Sequence, residues 1–322
     1  MPRMTNRISR LDWALFFGLA LAWGSSYLFI KIGIQSLSPF TLVACRLGIA
    51  TVVLGTVVAV AREKLPHDRL TYARLVVMAC LNIVIPFSLI AWGERYIDSG
   101  MAAVLQAMTP LFTLILASLA LDDERISLNR LVGLAIGFGG VLVLVSHSLG
   151  SPAGDQAWIG DLALVGSSFA YACGNVFVRH QVRGLRPMIP AFFQVSTAFV
   201  IIAVLAAVFE RPIHLPSRPE AILAVTWLGV LGSACAYLIY FRLVHRVGPT
   251  RLSLITYLMP VVGVTLGVLV LGETIDTRIF LASALILGGV ALVNVRFGRF
   301  RPGRQPGRVP AAKTEPVEDV VS

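Results

Sequence analysis

The sequence predicts an all-α polytopic membrane protein, with ten transmembrane helices forming two inverted five-helix repeats. Three observations predict it: an apolar composition, ten separate apolar runs of bilayer length, and short motifs that recur at a nearly constant spacing. Of the 322 residues, 57% are hydrophobic and only 14% charged, and the mean hydropathy is +0.81. Soluble domains carry roughly 25% charged residues. Apolar runs of about 17–25 residues cross a bilayer as helices. Such runs fall at 11–33, 40–60, 75–93, 99–121, 131–146, 158–178, 187–209, 221–241, 252–271 and 279–295. They do not alternate in polarity, as the strands of an outer-membrane barrel would.

The first run is too long for a signal-peptide core, and no small-residue cleavage site follows it. It is expected to remain as the first helix. Residues 1–10 then form a short cytoplasmic N-terminus. With that end inside, the cytoplasmic segments hold 21 of the 27 Lys and Arg residues. The outer segments hold only Lys31, Arg95, Arg211, Arg218 and Arg278. This is the positive-inside distribution, and it predicts both termini in the cytoplasm. The net charge of +10 therefore reads as topology and contact with anionic membrane lipid. Nucleic acid is not an expected partner.

Four matches carry the repeat. Pro110 and Pro260 lie 150 residues apart, "DERI" at 123–126 and "GETI" at 272–275 lie 149 apart, and "GGV" at 139–141 and 288–290 also lie 149 apart. "AWGSSYLFIK" at 22–31 resembles "AYACGNVFVR" at 170–179, at a spacing of 148. Apolar helices resemble one another cheaply, but a near-constant offset across several helices points to duplication. A five-helix copy must enter the membrane from the opposite side, the inverted arrangement of many transporters. The first repeat is placed at 11–146 and the second at 158–295, joined by an outer linker at 147–157. The loop charges agree: "ERYID" at 94–98 has one Arg and two acids, and its counterpart "RLVHRVGPTR" at 242–251 has three Arg. The stretch 296–322 is rich in Pro, Gly and charge and is expected to be a disordered cytoplasmic tail.

The chain resembles the EamA-type, ten-helix members of the drug/metabolite transporter superfamily over about residues 11–295. The resemblance rests on "WGSSYLFIK", "CRLGIA", the two Pro-to-acid stretches and above all "LGETI"; "LDDERI" departs from the plain Gly-Glu of the pattern. It implies a multi-pass protein of the bacterial inner (plasma) membrane that moves small metabolites such as amino acids, or foreign compounds, often outward. It also implies a central cavity between the halves. The expected function is thus a secondary transporter working by alternating access. The rivals are a channel-like facilitator of the same fold and a non-transporting scaffold.

Pro110 and Pro260 each remove a backbone donor and free a carbonyl one turn earlier. They read either as bends exposing polar backbone to a pathway or as packing kinks. Glu124 and Glu273 read as helix-boundary residues pairing with a nearby Arg. "GLAIG" at 133–137 and "GVTLG" at 263–267 permit close helix approach, within the chain before between chains. An oligomer is not required.

Arg46 is the one basic side chain well inside a span. A charge at that depth is a functional candidate by default, unless it snorkels to the headgroups. Its repeat counterpart is Gln194. The polar and aromatic residues at mid-span are Trp23, Ser26, Tyr27, Asn82, Gln106, Tyr171, Asn175, Tyr237, Thr256 and Tyr257. With Arg46 they are the candidate substrate-binding residues. No HExxH, GxSxG, Walker A or GxGxxG pattern occurs, so no catalytic residue, cofactor or metal is expected, and the protein does not read as an enzyme. The expected partners are a small-molecule substrate and lipid.

Overall fold

The computed structural model describes residues 9–63, 68–120, 127–150, 156–181, 188–247, 252, 254–274 and 276–294, all helix and short turn without strand. Glu124, the "DDER" stretch, most of the linker and the tail at 296–322 lie outside the described residues.

Among the described residues, ten apolar helical spans follow one another. They are α1 (Arg10–Gly33), α2 (Pro39–Val60), α3 (Arg69–Gly93), α4 (Ser99–Ala120) and α5 (Leu128–Gly150). Then come α6 (Ala157–Gln181), α7 (Met188–Phe209), α8 (Pro219–Gly229, Val230–Cys235 and Ala236–Val247 end to end), α9 (Ile255–Leu271) and α10 (Thr277–Asn294). The first eight are long and apolar enough to cross a bilayer by length and composition, and α9 and α10 are shorter apolar helices. The spans expected at 75–93 and 221–241 run further, because polar ends such as "RLTYAR" at 69–74 continue the helix beyond its apolar part.

Local chemistry sets the ends. Ser9 and Asp12 form a capping box that starts α1, satisfying donors that otherwise lack partners. Pro39 and Pro219 sit in the first turns of α2 and α8, where a missing N–H costs nothing. Asp68 accepts from the N–H groups of Leu70 and Thr71 at the start of α3. Those two bonds hold its carboxyl below the usual carboxylate range. Gly272, with φ 68°, ends α9 in the left-handed conformation that glycine adopts without penalty.

The packing is two-fold in pattern. α1 lies on α9 as α6 lies on α4; α3 lies on α6 as α8 lies on α1; and α3 meets α7 as α8 meets α2. The pairs α2–α7, α4–α9 and α5–α10 join equivalent helices. Large apolar side chains such as Trp13, Phe17, Val52, Leu142, Val204 and Phe280 point outward and are exposed. Hydrocarbon is the environment in which such a surface is stable.

Both glycine motifs serve contacts within the chain. A β-carbon at Gly133 would meet the Gly289 carbonyl at 2.7 Å. One at Gly263 would meet Ala103.

Four irregularities interrupt the spans, the first a break at Ser25 in α1. Cys80–Val84 in α3 and Val230–Cys235 in α8 are π-turns at equivalent places in the two halves. α4 breaks at Ala107–Met108, just before Pro110. α9, in contrast, stays helical through the buried Pro260.

Candidate functional site

Arg46 is 4% exposed, in the third turn of α2, and faces the second half of the chain. Its Nε donates to Ser233 Oγ at 2.8 Å and its Nη2 to the Gly232 carbonyl at 3.2 Å. Both acceptors belong to the α8 π-turn, whose widened backbone leaves a carbonyl able to take a side-chain donor. The guanidinium also lies over the Phe87 ring, 4.1 Å from its centre. It thus ties α2 to α3 and α8 and does not run toward a helix end. The phenols of Tyr171, Tyr237 and Tyr27 are its electrostatic neighbours. None of those three hydroxyls, nor Nη1 of Arg46, has a hydrogen-bond partner among the described residues. Four elements therefore bring open donors to one buried place.

The same region holds a paired contact between the halves. Gly232 of α8 approaches the Ser26 hydroxyl of α1, and Gly174 of α6 abuts the Asn82 amide of α3. Ser26 and Gly174 are repeat equivalents, as are Asn82 and Gly232. Each interface therefore combines one glycine with one polar side chain, supplied from opposite members of the pair. Ser26 Oγ donates back to Ala22 O at 2.9 Å.

A second group of candidates lines a cleft of about 320 Å³. Pro110, Asn175 and Thr256 face it together with Thr109, Thr113, Asn294, Arg130 and Arg179.

The remaining candidates sit elsewhere. Gln106 lies at the α4 break, where its Nε2 donates to Thr109 Oγ1 and its Oε1 accepts from Ser167. The Trp23 ring is 5.6 Å from that of Tyr240. The Tyr257 hydroxyl accepts from Asn294 between α9 and α10 at 2.8 Å.

The end opposite the cleft is closed by polar caps. Glu273 accepts from Ser99 N, Ser99 Oγ and Gly100 N at 2.7 to 2.9 Å, filling the open donors at the start of α4. The arginine partner expected for Glu273 is thus replaced by a helix N-terminus. Glu210 does the same for α2, accepting from Phe40 N, Thr41 N and Thr41 Oγ1. Lys31 Nζ donates to the carbonyls of Glu94 and Ile97 after α3, at 2.7 and 2.6 Å. Ser233, Phe87, Glu210 and Glu94 were not singled out by sequence, since nothing in hydropathy tells which faces meet.

A ten-span bundle of two matching halves, with a buried polar centre capped at one end and cleft at the other, defines a multi-pass membrane protein of the inverted-repeat class. The model of the EamA-like transporter family matches residues 13–146 and again 158–295, and the chain belongs to that family. It is 31% identical over 281 residues to the inner membrane transporter YedA of Escherichia coli K12, covering 87% of this chain and 89% of the relative. It is 27% identical over 314 residues to a protein of the same strain named a probable amino-acid metabolite efflux pump, covering 93% and 100%. A solved crystal structure shares the fold at a TM-score of 0.61 and 21% identity, covering 88% of this chain and 96% of the other.

Proposed function

We propose that this protein is a secondary transporter that moves a small metabolite bearing a carboxylate, such as an amino acid or a related compound, outward across the bacterial inner membrane. Arg46 carries this reading: a buried guanidinium with one nitrogen uncommitted, with Tyr27, Tyr171 and Tyr237 as its electrostatic neighbours. A guanidinium in an apolar surround favours a carboxylate through charge-assisted hydrogen bonds. The efflux-pump relative supports the amino-acid class and the outward direction.

The shape supports alternating access. One end is closed by the Glu273, Glu210 and Lys31 caps, and the other carries the cleft. The cleft is then the inner vestibule. Rocking one half against the other closes the cleft and releases the caps.

The decisive experiment is counterflow in liposomes. A radiolabelled amino-acid mixture outside should accumulate transiently and saturably when the vesicles are preloaded with the unlabelled mixture. Flux that only relaxes the gradient, without overshoot, identifies a facilitator. No flux at all removes the transport reading for this substrate class.

The topology within this proposal puts the capped end outside and both termini in the cytoplasm. Reporter fusions at residues 150 and 214 should report the outer side, and fusions at 67 and 184 the inner side. An inner signal at 150 would reverse the orientation.

A further inference from the structure

Glu94 follows α3 in the turn at the capped end. Its side chain is 0% exposed, and both carboxylate oxygens are buried without a hydrogen-bond partner among the described residues. The nearby caps behave differently: Glu273 and Glu210 each have their oxygens filled by N–H and hydroxyl donors. Lys31 is spent on the backbone carbonyls of Glu94 and Ile97 and leaves the carboxylate unbonded. An isolated buried carboxylate without donors takes a proton in preference to remaining charged.

The charged and titratable groups that face it come from every adjoining element. Lys31 and Tyr27 are on α1, Arg46 on α2 and Glu273 after α9. Asp98 is in the same turn, and Asp161 is the buried acid of α6 beside the Gly160 that meets Gly93. Burial pushes the Glu94 carboxyl well above the usual carboxylate range, the pull of Lys31 acting against it and the charge of Glu273 with it. Tyr27 is an electrostatic neighbour of both Glu94 and Arg46.

We propose that Glu94 is a proton-binding site that holds one proton while the capped end is closed and gives it up to water when that end opens. The step is a single protonation of one carboxylate oxygen, with water on the outer side as donor and acceptor. This rests on the transport reading above, because two access states that differ by one bound proton make transport respond to a proton gradient. The sign follows. Low pH on that side favours the capped state, and a pH above the raised value favours opening.

Two measurements on the full-length protein test it. In lipid nanodiscs, infrared titration should show a protonated-carboxyl stretching band at neutral pH that Glu94→Gln removes. In liposomes, Glu94→Gln, a neutral mimic of the protonated acid, should keep counterflow of the labelled amino-acid mixture within about twofold. It should lose accumulation driven by a pH gradient by at least about fivefold. Glu94→Asp, which keeps the acid, should restore part of that accumulation, and it supplies the test if the glutamine variant does not fold. A protonated band that persists in Glu94→Gln, or gradient-driven accumulation equal to wild type, overturns the proposal. Absence of counterflow in the wild type overturns the transport reading instead, leaving the infrared result to decide proton binding alone.

Discussion

Arg46→Gln should reduce counterflow at least about tenfold at unchanged membrane level, since a hydrogen bond to a charged group is worth roughly 1.5–3 kcal/mol. The substitution removes the charge that would meet a carboxylate, the Nε bond to Ser233 and the contact over Phe87. It also makes the position match its repeat equivalent, Gln194, which is itself buried. Arg46→Lys should fall between the two, because the ammonium keeps the charge and loses the planar fork. Ser233→Ala separates the roles. It deletes the Nε partner and leaves the charge, so a role confined to tying α2 to α8 makes it as damaging as Arg46→Gln. Equal transport by wild type and both Arg46 variants would remove the residue from the binding site.

The second large effect lies far from the centre. Gly289→Leu should abolish the folded protein, because α5 and α10 approach there backbone to backbone. A β-carbon at 289 would stand 2.5 Å from the Gly133 carbonyl oxygen and 2.7 Å from the Gly137 Cα. Neither neighbour is a flexible side chain that can swing aside. Overpacking commonly costs about 1–3 kcal/mol even where side chains can yield, and here the helices themselves must part. The control is next door: a β-carbon at Gly288 meets nothing within 4 Å. Gly288→Leu should give a monodisperse peak in fluorescence-detected size exclusion, and Gly289→Leu should give aggregate. A monodisperse Gly289→Leu with unchanged thermal stability would mean that this contact does not hold the pair.

These two residues mark what the sequence does and does not disclose. The glycine motif at 133–137 is legible because two glycines at a spacing of four let helix backbones approach closely. Its partner strip on α10 is not, since "LGGV" at 287–290 carries no sign of which glycine faces inward. The spans are legible because bilayer thickness imposes a length on apolar runs, and the repeat is legible because Pro110 and Pro260 keep their offset. Arg46 is conspicuous as a charge within an apolar run, but its acceptors depend on a π-turn whose residues, "VLGSAC", resemble any apolar helix. Glu94 is the instructive case. It sits in a polar turn, "GERYID", where composition suggests contact with water, and packing instead buries it completely. Burial at a helix end is decided by the neighbouring helices, whose placement no local pattern encodes. The candidate site divides for the same reason: Tyr27, Tyr171 and Tyr237 are electrostatic neighbours of Arg46, whereas Asn175 and Thr256 open into the cleft.

The exchanged contacts at the centre, Gly232 against Ser26 and Gly174 against Asn82, bear on how such a chain can descend from a smaller ancestor. Two copies of the first half would bring a serine and an asparagine to both interfaces and overfill them. Two copies of the second half would bring glycine to glycine and leave holes. Only the unlike pair fits. In this chain the first half keeps both side chains and the second half both glycines, so the middle closes where the two unlike halves meet, and fusing them into one gene delivers the two in equal number.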